Sequence, residues 1–214
     1  MKILAVSDTE AKYLYDYYEP GRLQEYDLII ACGDLIPEYL EFLVTMADCP
    51  LLYVHGNHDD YDREPEGCIC IDNRVFEYRG VRIGGLPGSY RYRDGEYMYT
   101  ERQMQGLARR LRRSIQRHGG LDILVTHAPA RHLNDFDNLT HRGFDCFNRI
   151  IERYRPKLFL HGHIHSSYGA RIPRLTSRDG TLVVNACDHS VVEFKDEWKQ
   201  NKSLRRSIRR QKAE

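Results

Sequence analysis

The sequence predicts an α/β fold of two packed mixed sheets with helices outside. Two observations point there. Five short apolar runs alternate with longer helix-like stretches, and two antiparallel pairs interrupt the pattern, in the middle and near the end. Strands that alternate with helices mark βαβ units, whereas tight dipeptide turns mark hairpins.

The five runs are Ile3–Val6, Leu28–Ala31, Leu51–Val54, Ile123–Val125 and Leu158–Leu160. They are short and almost uninterrupted, as expected of strands covered on both faces. Between them the pattern predicts helices over Ala11–Tyr18, Pro37–Ala47, Thr100–Arg117 and Phe144–Tyr154. Thr100 is a reasonable N-cap, and Gly119-Gly120 a stop signal. The tyrosines at 13, 15, 17 and 18 read as a packing stripe on the first of these helices. Arg74–Tyr78 and Val81–Gly84 flank Arg79-Gly80 as a hairpin. Thr181–Asn185 and Val191–Phe194 read as a second antiparallel pair, with the turn dipeptide Asp179-Gly180 ahead of it. One domain over residues 1–195 is expected, followed by a basic, charged helix or tail over 196–214.

Composition narrows the function classes. A chain of 214 residues with 41% hydrophobic residues can build one sizeable core. No apolar run approaches the ~20 residues needed to cross a bilayer. The opening MKILAVSD ends its apolar run at an acid, unlike a signal peptide, so it reads as a first strand in a cytoplasmic protein. A formal net charge of +1 excludes polyanion binding by bulk charge. The six cysteines form no C-x-x-C pair, which argues against a zinc ribbon and for reduced, mostly buried thiols.

Chemistry concentrates where the strands end. The first run ends at Asp8-Thr9-Glu10, the second at Gly33-Asp34, and the third at Gly56-Asn57-His58-Asp59. The fourth ends at Thr126-His127 and the fifth at His161-Gly162-His163-Ile164-His165. Ligands of open α/β sheets bind beyond the carboxyl ends of the strands, so one fold gathers all five at one edge. Carboxylates, imidazoles and an amide carbonyl together suit Mn²⁺, Fe, Zn²⁺ or Ni²⁺. Any one of these residues alone reads as a turn or structural residue. Five in register do not.

These residues resemble the calcineurin-like metallophosphoesterase superfamily, whose pattern is D-x-H, G-D, G-N-H-D or E, a later His, and G-H-x-H. The likeness runs from Asp8 to His165. It implies a four-layer αββα sandwich and a pair of divalent metal ions. Asp34 would bridge the ions. Asp8 and His165 would hold the first, and Asn57, His127 and His163 the second. His58 would donate a proton to the leaving oxygen, with Asp59 orienting its ring. Two ions ~3.5–4 Å apart can clamp an in-line displacement, ionise a bridging water and neutralise phosphoryl oxygens.

One position departs from the pattern. Glu10 stands where the family has His. Either it binds the first ion through oxygen, the favoured reading, or it points away. Three carboxylates would bring the site close to neutral, weakening its grip on a dianionic monoester more than on a monoanionic diester. They would also favour an oxygen-loving metal such as Mn²⁺.

Two segments are candidates for the substrate side. Gly88–Tyr99 offers Tyr90 and Arg91 for stacking and phosphate pairing, with a plain surface loop as the alternative. His141-Arg142-Gly143 can reach the ions or merely lead into a helix. Arg109, Arg110, Arg112, Arg113 and Arg117, with Arg205, Arg206, Arg209 and Arg210 in the tail, read either as solvated faces or as contacts for a nucleic-acid backbone. The expected activity is hydrolysis of a small phosphate ester, a diester or nucleotide slightly preferred. A nuclease, a broad monoester phosphatase and a non-catalytic scaffold are the alternatives. No motif bears on oligomeric state.

Overall fold

The structure is a computed structural model, which describes residues 1–165 and 173–198. In chain order the elements are β1 (Lys2–Ser7), β2 (Leu28–Ala31), α1 (Pro37–Met46), β3 (Leu51–Tyr53), β4 (Ile69–Cys70), β5 (Val75–Tyr78) and β6 (Val81–Leu86). Then come β7 (Ser89–Tyr90), β8 (Met98–Tyr99), α2 (Glu101–His118), β9 (Ile123–Thr126), α3 (Asp145–Tyr154) and β10 (Leu158–His161). The described chain closes with β11 (Leu175–Arg178), β12 (Thr181–Asn185), β13 (Asp188–Glu193) and a 3-10 turn over Asp196–Trp198.

Two mixed sheets result, in the orders β13-β1-β2-β3-β4 and β11-β12-β10-β9-β6-β5, with a small β7-β8 pair beside them. Alternation along each strand builds three cores. Ile3, Ala5, Leu28, Ile30, Leu52 and Val54 meet Ile83, Ile123, Val125, Leu158 and Leu160 between the sheets. Leu4, Val6, Ile29 and Ala31 point the other way, under Tyr39, Leu40 and Leu43 of α1. Leu124, Phe159 and Val183 face Met104, Leu111, Ile115, Phe147 and Ile151 of α2 and α3. This is the expected αββα sandwich, and it explains why the parallel strands carry apolar residues at successive positions.

The helix α2 starts at a capping box between Thr100 and Gln103 and ends at Gly119 in the left-handed region, φ 77°. The hairpin β5–β6 turns on Arg79-Gly80, both with positive φ, the twist that matches right-handed strands.

Two expectations fail. Residues 11–18 form successive turns, not a helix. Only Ala11 and Leu14 are buried, and Tyr15 and Tyr18 pack on Phe42 while Tyr13 and Tyr17 stay exposed. No continuous apolar stripe exists to hold a helix on the sheet. Nor do Thr181–Asn185 and Val191–Phe194 pair with each other. β12 pairs antiparallel with β11 across Asp179-Gly180, and β13 crosses to the other sheet beside β1. The turn dipeptide closes a hairpin with the strand before it.

All six cysteines are free thiols, with Cys32, Cys146 and Cys187 buried. Among the described residues no helix is long and apolar enough to cross a membrane. The tail arginines from Arg205 onward lie outside the described residues.

Candidate metal centre

The strand ends converge because their backbones touch. Asp8 N–H donates to the Gly33 carbonyl at 3.1 Å, and Gly162 N–H donates to the His127 carbonyl at 2.9 Å. A Cβ on Gly33 would fall 2.4 Å from Gly56 N and 2.9 Å from His127 Nδ1, so no other residue fits between these loops. Asp8, Asp34 and His163 all take positive φ, 64°, 56° and 67°. Such conformations are costly for residues with a Cβ and cluster at functional sites.

Within this frame Asp34, His127 and His163 bring one ligand atom each within 4.8 Å of the others. His127 Nε2 lies 3.3 Å from Asp34 Oδ2, 3.0 Å from Asn57 Oδ1 and 3.1 Å from His163 Nδ1. The far nitrogens of both rings face backbone carbonyls. His127 Nδ1 is 2.8 Å from the Cys32 oxygen, and His163 Nε2 is 2.8 Å from the Thr140 oxygen. Carbonyls only accept, so these nitrogens carry hydrogen and the inner nitrogens are left to act as ligands.

Acceptor atoms therefore crowd one point, and the protein's own charges respond. Burial would raise Asp34, but His127 and the His58 N–H outweigh it and hold the carboxylate well below the usual range. Burial would lower His127, but Asp34 draws the ring up to about 9, so without a metal Nε2 also holds a proton, which a bound ion would displace. His163 is pushed down to about 3 by burial and by His127, so it stays neutral and able to bind a metal. The donor set of carboxylate, imidazoles and amide oxygen fits a divalent transition metal. Asn57 Nδ2 is buried and has no hydrogen-bond partner among the described residues, a donor left for a ligand oxygen.

Asp8 and His165 stand beside this group. Both Asp8 oxygens accept the His163 N–H, at 3.0 and 2.8 Å, and His165 Nε2 lies 3.5 Å from Asp8 Oδ1. Burial raises the Asp8 carboxyl, with Asp34 adding to it. Glu10 is half-buried and accepts no hydrogen bond among the described residues. It belongs to no cluster of potential ligands found there.

The remaining expected residues separate. His58 is exposed, with its backbone N–H held by Asp34 Oδ1 at 2.8 Å. Asp59 does not orient the His58 ring. Its carboxylate accepts the N–H groups of Asp34, Leu35 and Gly56, at 3.0, 3.2 and 2.7 Å, and so ties two loops together. Burial raises it to about 6. The group that reaches the His58 ring is Arg93, whose Nη2 lies 3.3 Å from Nδ1. Sequence reasoning points to Arg91 instead, which is exposed and donates its backbone N–H to the Tyr99 carbonyl. Two arginines two apart in one loop carry no signal that separates them. Tyr90 packs on Phe144 with Arg142 over its ring at 5.3 Å. His141 does come close, its ring 5.6 Å from that of His163.

A second cluster, His55, Cys70 and Asp72, lies under the Asn57 loop. Asp72 holds His55 Nδ1 at 2.8 Å, and Tyr97 stacks on the ring at 4.5 Å. Burial would lower His55, but Asp72 and Cys70 raise it to about 10, so this imidazole is a cation already paired.

Comparison with known proteins agrees with this geometry. A family model described as the calcineurin-like phosphoesterase superfamily domain matches residues 1–197. A UPF0046 protein of Caenorhabditis elegans is 25% identical, covering 89% of this chain and 77% of that protein. An uncharacterised protein of Haemophilus influenzae is 27% identical, covering 73% and 81%. Metallophosphoesterase domain-containing protein 1 of Homo sapiens is 24% identical over 68% of this chain but only 46% of its own length. The crystal structure of TT1561 of Thermus thermophilus superposes with a TM-score of 0.58 at 15% identity, covering 87% of this chain and 89% of that one. That likeness is one of fold.

Proposed function

The chain belongs to the calcineurin-like phosphoesterase superfamily, and from that premise we propose that it hydrolyses phosphate esters with two divalent ions, a diester or nucleotide-type ester ahead of a monoester. The observation that carries this reading is the crowding of acceptor atoms around His127 Nε2, with both inner ring nitrogens oriented by backbone carbonyls. Asn57, His127 and His163 would hold one ion, Asp8 and His165 the other, and Asp34 both. When bound, two such ions supply Lewis-acid charge and an ionised water.

The chain's own residues do the rest. Arg93 beside His58 places a fixed positive charge where a phosphoryl group would enter, the charge a phosphoryl-transfer transition state calls for. His58, exposed at this mouth, is the group placed to protonate a leaving oxygen. Asp59 positions Asp34 and the Asn57 loop through three backbone N–H groups instead of meeting substrate. Glu10 sets the charge of the first ion's side. With three carboxylates against two divalent ions, a dianionic monoester loses more of its electrostatic hold than a monoanionic diester does. The same charge balance favours Mn²⁺.

Turnover of bis-p-nitrophenyl phosphate and p-nitrophenyl phosphate, with Mn²⁺, Fe²⁺, Zn²⁺ and Ni²⁺ in turn, tests the reading. Diester hydrolysis that vanishes on chelation and returns with Mn²⁺ is expected. No turnover with any metal would leave a metal-binding scaffold.

A further inference from the structure

Four arginines from two helices face one cleft on the far side of the second sheet. Arg109 and Arg112 lie one turn apart on α2, and Arg149 and Arg153 one turn apart on α3. Together with Gln105, Glu152 and an apolar floor that includes Ile150 and Tyr154, they line a cavity of about 550 Å³. Small-molecule ligands occupy cavities of this size.

The charge in this cleft is unbalanced. Among the described residues no carboxylate forms an ion pair with any of the four. Glu152, the acid in the lining, is already approached by Arg178 at 3.8 Å. Glu101, at the start of α2, is engaged too: its oxygens accept the Asp145 and Cys146 N–H groups at 3.1 and 3.0 Å and cap α3. Among the described residues Arg112 Nε is buried and has no hydrogen-bond partner. A half-buried guanidinium with an unmet donor is disfavoured unless an acceptor arrives.

We propose that the cleft between α2 and α3 binds a small anion with two or more linked phosphate groups. Guanidinium forks match phosphate oxygens two at a time, and two pairs on facing helices match linked phosphates better than a single one. The charges converge across a recess instead of spreading over a flat face. That geometry favours a compact anion over a nucleic-acid backbone. The remaining α2 arginines, Arg102, Arg110, Arg113 and Arg117, do not line the cleft.

Isothermal titration of the full-length, metal-loaded protein with inorganic triphosphate tests this, with Asp34→Ala protein in parallel to remove anion binding at the metal centre. Stoichiometric binding that survives Asp34→Ala is expected. The double variant Arg112→Gln/Arg149→Gln should weaken it on the order of a hundredfold at low salt, two charge-assisted contacts being lost. Arg110→Gln/Arg113→Gln should leave it unchanged. Thermal melts guard against misfolding, and Arg112→Gln/Arg149→Gln should melt no lower than wild type because repulsion is relieved. Binding lost in Asp34→Ala, or equal loss in both double variants, overturns the proposal. So does binding of a short oligonucleotide through the cleft arginines with none of triphosphate.

Discussion

The strands β2 and β9 each carry an acidic or imidazole group at both ends, and the two ends are built oppositely. At the amino ends, Asp27 and Asp122 are matched by cations. Asp122, buried, accepts the Arg82 backbone N–H at 2.9 Å and its guanidinium at 2.7 and 2.8 Å. At the carboxyl ends, Asp34 and His127 meet other acceptors, Asn57 Oδ1 and His163 Nδ1, and no Lys or Arg among the described residues pairs with Asp34 or Asp8. Asp122 and His127, at opposite ends of β9, are equally buried, so burial does not distinguish the edges. What differs is the kind of counter-charge: an arginine that keeps its proton pairs with Asp122, whereas a histidine, whose proton a metal ion can displace, pairs with Asp34. An edge closed by arginine serves stability, and an edge closed by imidazoles on left-handed backbone is the kind that suits a ligand.

The largest expected effect breaks the carboxyl edge. Asp34→Ala should lower kcat/KM for bis-p-nitrophenyl phosphate by about a thousandfold or more, because the proposed bridging oxygen is gone. Folding should be retained. Alanine at this left-handed position costs roughly 1–2 kcal/mol, and removal of a buried carboxylate crowded by Asp8 and Asp59 offsets it. Activity retained alongside a melting point several degrees lower would reverse the assignment of this edge.

The next effect is on stability and breaks the amino edge. Arg82 and Asp122 are 1% and 0% exposed. Arg82→Met leaves a buried carboxylate uncompensated, at a cost of about 3–5 kcal/mol. For a chain this size that lowers Tm by roughly 10 °C. Arg82→Met with Asp122→Leu should recover most of it, while kcat/KM per folded molecule stays near wild type. A double variant no more stable than the single would mean that the pair does more than neutralise itself.

How much of this contrast is legible in the sequence follows from what each residue depends on. The parallel strands are readable because Leu4, Ile29, Leu124 and Phe159 are covered on the side where a surface strand would be polar. The ligand ends are readable because Gly33, Asp34 and the Gly56–Asp59 run sit next to those strands in sequence. Arg82 and Asp122 lie 40 residues apart, and neither neighbourhood marks the pairing. The partners of β12 and β13 are hidden for the same reason: alternation identifies a strand but not the sheet it joins. Asp59 shows a subtler limit. Its place beside His58 points to the ring, yet its carboxylate turns to three backbone N–H groups that only the folded loops bring together.

A smaller effect sharpens the comparison at Glu10, a half-buried carboxylate of the carboxyl edge. Glu10→His removes one negative charge from the proposed site. The ratio of monoester to diester turnover should then rise by about threefold to tenfold, because a dianion gains more than a monoanion from the added positive potential. Glu10→Ala should move the ratio the same way but lower metal content. Unchanged ratios and metal content in both variants would place Glu10 outside the site.

The smallest effect concerns Asp27, the more exposed counterpart of Asp122 at the amino edge. The Lys2 backbone N–H, at 2.8 Å, is the main cause that holds its carboxyl below the usual value; burial opposes it, and Arg79 adds to the lowering. A depressed carboxylate contributes stability that is fully present above its unfolded pKa and is lost as pH falls through the folded one. Asp27→Asn should therefore melt below wild type at neutral pH, by less than about 2 °C given the exposure of the Arg79 pair. The difference should close as pH drops through and below the usual carboxylate range, where the wild-type carboxyl takes up its proton. At Asp34 the carboxylate is also held low, but by a histidine and a loop N–H, not by an arginine. Asp27→Asn should thus change the pH dependence of melting and leave phosphoesterase turnover alone. A loss of turnover in this variant would mean that the two edges are coupled through β2.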